Sequence, residues 1–240
     1  MNISLKCKKI RFAQASDFYD VYEHLGNPGR GVYHWGAFDR QLLVGAVSFG
    51  GACFALHRGI FAQIADKYEL RVYQLTRGGT APLAPRNTGS WIVSQGLKQL
   101  KSARGECLVV AYSDPYFNEI GTIYQAANFL FLGKTDPKGQ SDYVINGQFM
   151  SGWKVRRRFG TRDMTKLKEI DPDFIRMPLR PKYRYLYLAT SRIKRKKILA
   201  EIDSRIVPYP KRYIEGVGAM KPLELVKQRA NKTVQERWAP

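Results

Sequence analysis

The sequence predicts an α/β protein, a mixed β-sheet flanked by helices and followed by a basic C-terminal extension. Three observations point there. Two apolar runs have the length of buried strands, Leu42–Phe49 (LLVGAVSF) and Glu106–Tyr112 (ECLVVAY). Residues 71–132 alternate strand, helix, strand, helix, strand. The charge is divided unevenly: residues 1–150 carry 16 Lys+Arg against 11 Asp+Glu, whereas residues 151–240 carry 24 against 9. The expected domains are therefore a core over 1–150 and a basic extension over 151–240, packed on that core and binding DNA.

In chain order, Lys9–Gln14 reads as a short strand, and Ser16-Asp17 supplies an N-cap for a helix through Leu25. Gly26-Asn27-Pro28-Gly29 breaks that helix. Tyr33–Gly36 is loop-like, Leu42–Phe49 is a central strand ending at Gly50-Gly51, and Ile60–Lys67 is a short helix. Arg71–Thr76 alternates as a strand does and stops at Gly78-Gly79. After a loop with Pro82 and Pro85, Ser90–Ser102 has apolar residues at helical spacing. Glu106–Tyr112 is the clearest strand, Asn118–Asn128 a helix, Phe129–Leu132 the next strand, and Asp142–Ile145 one more. In the back half, Gly152–Phe159 interleaves aromatics with cations, Thr161–Ile170 is a polar helix and Tyr183–Ala189 a strand. Ser191–Ile202 is a basic amphipathic helix, and Pro222–Ala230 a helix in the polar tail.

Composition narrows function. A formal net charge of +20 in 240 residues is self-repelling unless a polyanion neutralises it, so nucleic acid is the expected partner and an anionic membrane surface a distant second. No stretch nears the roughly 20 apolar residues of a spanning helix, and the N-terminus has no apolar leader, so a cytoplasmic protein without membrane partners is expected. Cys7, Cys53 and Cys107 are sparse, odd in number and free of metal-ligand spacing, which fits a reducing compartment.

Candidate site residues follow from chemistry at strand ends. Ser113-Asp114 close a buried strand, where sheet proteins place reactive groups, although Asp114-Pro115 is also a favoured helix start. His34, one of three histidines with His24 and His57, sits beside Trp35 and Gly36, where an imidazole can act as base or ligand. Arg77 ends its strand, placed to hold a phosphate or simply to be solvated. Tyr33 and Trp35 offer aromatic stacking faces. The clusters Arg156-Arg157-Arg158 and Lys194-Arg195-Lys196-Lys197 offer a cradle for a phosphate backbone. Cys53 and the Asp142-Tyr143 pair are weaker candidates, and no metal-ligand set can be read from spacing.

The segment Asn118-Glu119-Ile120-Gly121-Thr122-Ile123-Tyr124-Gln125-Ala126-Ala127-Asn128-Phe129 resembles the end of the core in GNAT-fold acyltransferases. There an Asn contacts the cofactor, and a helical Tyr after an aliphatic residue reprotonates the departing thiolate. The resemblance implies these roles for Asn118 and Tyr124. Family members hold the cofactor pyrophosphate on a glycine-rich turn at a helix start; here Arg86-Asn87-Thr88-Gly89-Ser90 stands in its place, leaving Arg86 and the amides of Gly89 and Ser90 to hold an anion.

More specific is the joint occurrence of Tyr33-His34-Trp35-Gly36, Gln74-Leu75-Thr76-Arg77-Gly78, Ala111-Tyr112-Ser113-Asp114 and Gly121–Phe129. Together these resemble the Mom family of phage DNA-modification proteins over about residues 30–145. The resemblance implies a GNAT-like catalytic core and conversion of the adenine amino group in double-stranded DNA to a carbamoylmethyl (glycinamide-type) derivative. That change protects phage DNA from host restriction in the host cytoplasm. The implied donor is a small molecule, acetyl-CoA or another activated acyl or glycyl carrier; a transition metal such as iron and a homodimeric assembly stay open. The competing readings are a noncatalytic nucleic-acid-binding protein and a GNAT acetyltransferase acting on RNA or a protein amine.

Overall fold

The computed structural model describes residues 5–23, 29–52, 56, 59–115, 119–137 and 140–211. The sequence readings at His24, Gly26–Pro28, Cys53, His57, Asn118 and Pro222–Ala230 lie outside the described residues. The chain divides into two units: one is Met1–Gly133 together with Tyr183–Pro240, the other Lys134–Lys182.

The first unit is built on a seven-stranded mixed sheet with the order β1-β2-β3-β4-β5-β10-β6. Its strands are β1 (Leu5–Lys9), β2 (Tyr33–Asp39), β3 (Leu42–Gly51), β4 (Arg71–Thr80), β5 (Cys107–Ser113), β6 (Leu130–Lys134) and β10 (Tyr183–Ala189). The mixed sheet flanked by helices is the architecture the sequence anticipates. β1 to β4 run antiparallel to their neighbours, β4 and β5 are parallel, and β10 is antiparallel to β5. The parallel pair needs a crossover, and α3 (Thr88–Arg104) supplies it.

On one face, α3 buries Ile92, Val93, Leu97 and Leu100 against Trp35, Val47, Phe49, Tyr73 and Val109. Gly96 allows that close approach, since a Cβ there would stand 2.7 Å from a Val47 methyl. On the other face lie α1 (Phe12–Tyr22), α2 (Ile60–Tyr68) and α7 (Arg192–Ile202). α2 and α7 cover Leu108, Val110, Leu186 and Leu188 with Phe61, Ile64, Ile198 and Ile202. α1 packs Ala15, Phe18 and Tyr19 around Ala46.

Four local departures from the expected elements have physical causes. The first strand ends at Lys9 and the helix begins at Phe12, because Ala15, Phe18, Tyr19 and Tyr22 repeat at helical spacing, and Gln14 Oε1 accepts the Arg11 amide at 3.0 Å. Tyr33–Gly36, expected as loop-like, belongs to β2 (Tyr33–Asp39); His34 to Ala37 are all buried, and burial on both faces erases the alternation by which a strand is recognised. β4 runs past Gly78-Gly79 to Thr80 because these glycines remain paired with β3. The helix expected over 118–128 contracts to α4 (Thr122–Ala126), bounded by the left-handed residues Gly121 and Asn128 at φ 73° and 61°.

The second unit is a three-stranded sheet, β8 (Gln148–Ser151), β7 (Ser141–Ile145) and β9 (Ile175–Pro178), with α5 (Gly152–Phe159) and α6 (Met164–Ile170). Tyr143, Ile145, Met150, Val155 and Leu167 form its core. Ser151 caps α5 and Asp163 caps α6. Thus the basic back half serves two structures, for Tyr183–Ala189 is an interior strand of the large sheet. Among the described residues, no helix is long and apolar enough to cross a membrane.

Candidate active site

β4 and β5 pair only from Arg71↔Cys107 to Gln74↔Val110. Beyond that point β4 stays with β3 and β5 with β10, so the two parallel strands part. A register shift opposite Ser48-Phe49 leaves Thr76 as the extra residue on β4, and such a bulge turns its strand away from the old direction. The opening is a cavity of about 250 Å³ lined by Gly78 of β4, Ser113 of β5 and the segment Glu119–Tyr124.

Ser113 is 4% exposed, and its Oγ completes no hydrogen bond, although it stands close enough to the Tyr185 hydroxyl to lower that phenol's pKa against the rise from burial. A buried hydroxyl left unsatisfied costs about 1–3 kcal/mol, and a ligand or ordered water is the usual remedy. Tyr124, half-buried on α4, packs its ring 5.4 Å from Phe129 and 5.3 Å from Tyr185, and its hydroxyl donates to the Tyr112 carbonyl at 3.4 Å. Burial, reinforced by the charges of Glu119 and Glu23, holds the Tyr124 phenol far above its ordinary range. It therefore stays protonated at any physiological pH and suits a hydrogen-bond donor to developing negative charge. Complete proton transfer to a more acidic leaving group would run uphill.

The turn before α4 is tightly specified. A Cβ on Gly121 would lie 2.5 Å from the Tyr185 ring, at a φ of +73°. The Tyr185 hydroxyl donates to the Ile120 carbonyl, tying this turn to β10, while burial pushes that phenol up to about 12. Glu119 is the carboxylate in the cavity wall, and sequence reasoning passed over it. Its amide donates to the Asp114 carbonyl at 3.2 Å and its Oε2 accepts the Asp114 amide at 3.4 Å. The available signal was an acidic residue between a strand end and the tyrosine helix. Asp114 is thus backbone support for Glu119, and the next described α-helix starts only at Thr122.

The proposed anion-binding turn adjoins this cavity. Asn87 starts α3 with φ 67°, Thr88 Oγ1 donates to the Pro85 carbonyl at 2.6 Å, and Ser90 Oγ donates to the Asn87 carbonyl at 3.2 Å. A Cβ on Gly89 would stand 3.0 Å from Ile123, a residue of the cavity wall. The amides of Gly89 and Ser90 fall in the first helical turn, where N–H groups lack an intrahelical acceptor and the dipole favours an anion. Arg86 is exposed beside them. The segment fits a phosphate-bearing carrier. Among the described residues, no cluster of His, Cys, Asp and Glu could hold a metal ion.

The other candidates are elsewhere. His34 lies on β2, 5% exposed, with Nδ1 2.7 Å from Ser48 Oγ, which is 2.8 Å from the Tyr19 hydroxyl. It is neither loop-borne nor exposed, and burial pulls its pKa down. Trp35 is a core residue, edge-on to Phe49 at 5.7 Å, and presents no open stacking face. Tyr33 lines a separate cavity of about 500 Å³ with Tyr73 and Arg104, whose guanidinium lies 5.6 Å from the Tyr33 ring centre. Arg77 is not a solvated strand end; its Nε lies 3.8 Å from the buried Glu23 carboxylate.

Of the cationic clusters, Arg156, Arg157 and Arg158 are exposed on α5. On α7, Lys196 and Lys197 are exposed, whereas Lys194 pairs with Glu106 at 3.1 Å and Arg195 donates to the Leu188 carbonyl at 3.4 Å.

The site thus lies in a mixed α/β sheet whose parallel central strands part beside the N-terminus of the crossover helix. The model of the Mom protein family matches residues 4–211, and the chain belongs to that family. Among solved structures, the chain is similar to Arabidopsis thaliana NAA60 in complex with acetyl-CoA, at 14% identity over 77% of this chain and 98% of that one, with a TM-score of 0.46. It is also similar to a Bacillus subtilis acetyltransferase in complex with CoA, at 10% identity over 78% and 99%, with a TM-score of 0.42. A third is yncA of Salmonella typhimurium with acetyl-CoA, at 8% identity over 79% and 96%, with a TM-score of 0.44. No curated protein matches the sequence.

Proposed function

We propose that this protein is a phage DNA-modification enzyme that converts the adenine amino group in double-stranded DNA to a carbamoylmethyl derivative, shielding the DNA from host restriction. The observation that carries this reading is the cavity between β4 and β5. It holds the unpartnered Ser113 hydroxyl, the donor Tyr124 and, through Ile123, the helix end at Gly89-Ser90. An adenine inside a duplex is paired and stacked, so it must be extruded into such a pocket before its nitrogen can react. Ser113 then contacts the base, Tyr124 stabilises the departing group, and Asp114 supports the turn between them. Arg86, Gly89 and Ser90, with Asn118, hold the phosphate-bearing carrier of a small-molecule donor, which meets N6 through the methylene carbon that the carbamoylmethyl product requires.

His34 enters this reading as a neutral imidazole, and Arg77 as a charge whose field reaches Tyr124. Tyr33 is the stacking candidate with an open cavity beside it, and Trp35 supports its ring from the core at 6.3 Å. Each unit taken by itself carries cations for phosphate: the exposed Arg156–Arg158 of α5 in one, and Lys196-Lys197 of α7, with Lys194 and Arg195 beside them, in the other. The decisive experiment is mass analysis of nucleosides from plasmid DNA made with and without the protein. A heavier deoxyadenosine that vanishes with Ser113→Ala supports the reading; unmodified DNA despite tight binding would leave a noncatalytic DNA-binding protein. Affinity for duplex DNA is expected to fall steeply with salt, and Arg156→Ala/Arg157→Ala/Arg158→Ala to flatten the log–log slope by about 0.9 per lost phosphate contact.

A further inference from the structure

We infer that Glu119 and Ser113 together read the amidine edge of the extruded base, and that Glu119 takes the proton its amino group releases. This rests on the reading of the cavity as a DNA-base site. The wall of that cavity presents, besides Thr122, three polar side chains of complementary capacity: a carboxylate that only accepts, a phenol that stays a donor, and a hydroxyl that does either. Ser113 Oγ has an unmet hydrogen bond. An adenine seated by its Watson–Crick edge offers a donor at N6 and an acceptor at N1. The Glu119 carboxylate accepts from N6–H, and the Ser113 hydroxyl donates to N1, removing the unsatisfied group. Guanine and thymine present a carbonyl beside a ring N–H, the inverse pattern, which would face a carboxylate with a carbonyl oxygen.

The same geometry provides the chemistry for a donor that presents the methylene carbon of the carbamoylmethyl group, bonded to an anionic leaving group. The N6–carbon bond forms as the bond from carbon to the leaving group breaks, and that electron pair departs with the leaving group. The N6 proton passes to the Glu119 carboxylate and from there to water. The Tyr124 hydroxyl turns from the Tyr112 carbonyl to the departing anion, donates its hydrogen bond there and keeps its own proton. Glu119 holds its place through the Asp114 amide at 3.4 Å, and a glutamine retains an oxygen acceptor for that amide while losing the charge.

The test uses the full-length protein and duplex DNA, with single-turnover formation of modified nucleoside as the readout. Glu119→Gln is expected to slow modification by roughly 10²- to 10⁴-fold, the range for a lost general base, while DNA affinity and melting temperature hold. Glu119→Asp should recover part of the rate, which separates loss of the carboxylate from loss of the fold. DNA carrying 1-deazaadenine should slow the wild type as much as Ser113→Ala does, and the two changes together should cost no more than either alone. Full activity in Glu119→Gln, or additive losses for Ser113→Ala and 1-deazaadenine, would overturn the inference while leaving the enzyme reading intact. Product on guanine or thymine would refute the edge reading, and a wild type making no modified base would remove both.

Discussion

Two buried polar sets on opposite faces of the large sheet are satisfied to different degrees. Behind β2 and β3, beneath α1, Tyr19, Ser48 and His34 are joined by short contacts of 2.8 and 2.7 Å, and none exceeds 5% exposure. Thr76 adds a hydrogen bond to the Ser48 carbonyl at 3.1 Å. On the opposite face, where β4 and β5 part, Ser113 is as deeply buried, and its hydroxyl stands near the Tyr185 phenol without completing a hydrogen bond. Both sets hold hydroxyls and a titratable ring, yet one network is closed by its own chain and the other awaits a partner. Residue type alone does not separate these two sets; an unmet hydrogen bond that faces a cavity does.

That contrast predicts different kinds of damage. Tyr124→Phe keeps the ring against Phe129 and Tyr185, so thermal stability should hold, while modification should slow by roughly 10²- to 10³-fold, as when a donor to developing charge is removed. Stability and rate falling together would place Tyr124 with the closed network. Gly121→Ala comes next. Its Cβ would strike the Tyr185 ring at an unfavourable φ of +73°, so about 2–4 kcal/mol should be lost in denaturant unfolding, together with the shape of the cavity. A neutral substitution would mean the turn moves freely and the cavity is not preformed.

Much of this division was legible in the sequence and part was not. Tyr124, Ser113 and the Arg86–Ser90 turn could be singled out because each lies at an element end marked by glycine, asparagine or a strand terminus. Their grouping about one cavity depends on where β4 and β5 stop pairing, a long-range fact with no local signature. His34 was misjudged because a strand buried on both faces has no alternation, and Gly36 makes it look like a turn. Glu119 was missed because a lone acidic residue in a connection is usually solvated. Tyr183–Ala189 was recognised as a strand, but its partner β5 lies some seventy residues earlier, and only the register Tyr183↔Ser113 to Ala189↔Cys107 puts it in the main sheet.

The closed face should respond through stability. Ser48→Ala leaves His34 Nδ1 and the Tyr19 hydroxyl without their partner, and about 1–3 kcal/mol of folding free energy should go, with DNA affinity unchanged. An unaltered melting temperature would mean water already enters that face and the comparison fails.

The smallest effect is the most diagnostic of sign. Burial lowers the His34 pKa, so the unfolded chain binds a proton more readily than the folded one. The folded state therefore loses stability as pH falls through the unfolded value of about 6.5 and below, and keeps it above. The groups facing this pocket are Tyr19, which remains a neutral phenol because burial raises its pKa, and the Arg77–Glu23 pair beside it. His34→Gln should flatten the stability profile between about pH 7 and pH 5 relative to the parent. An equal slope in both proteins would assign the acid sensitivity to carboxylates instead and leave His34 free to take up a proton, which a sealed network forbids.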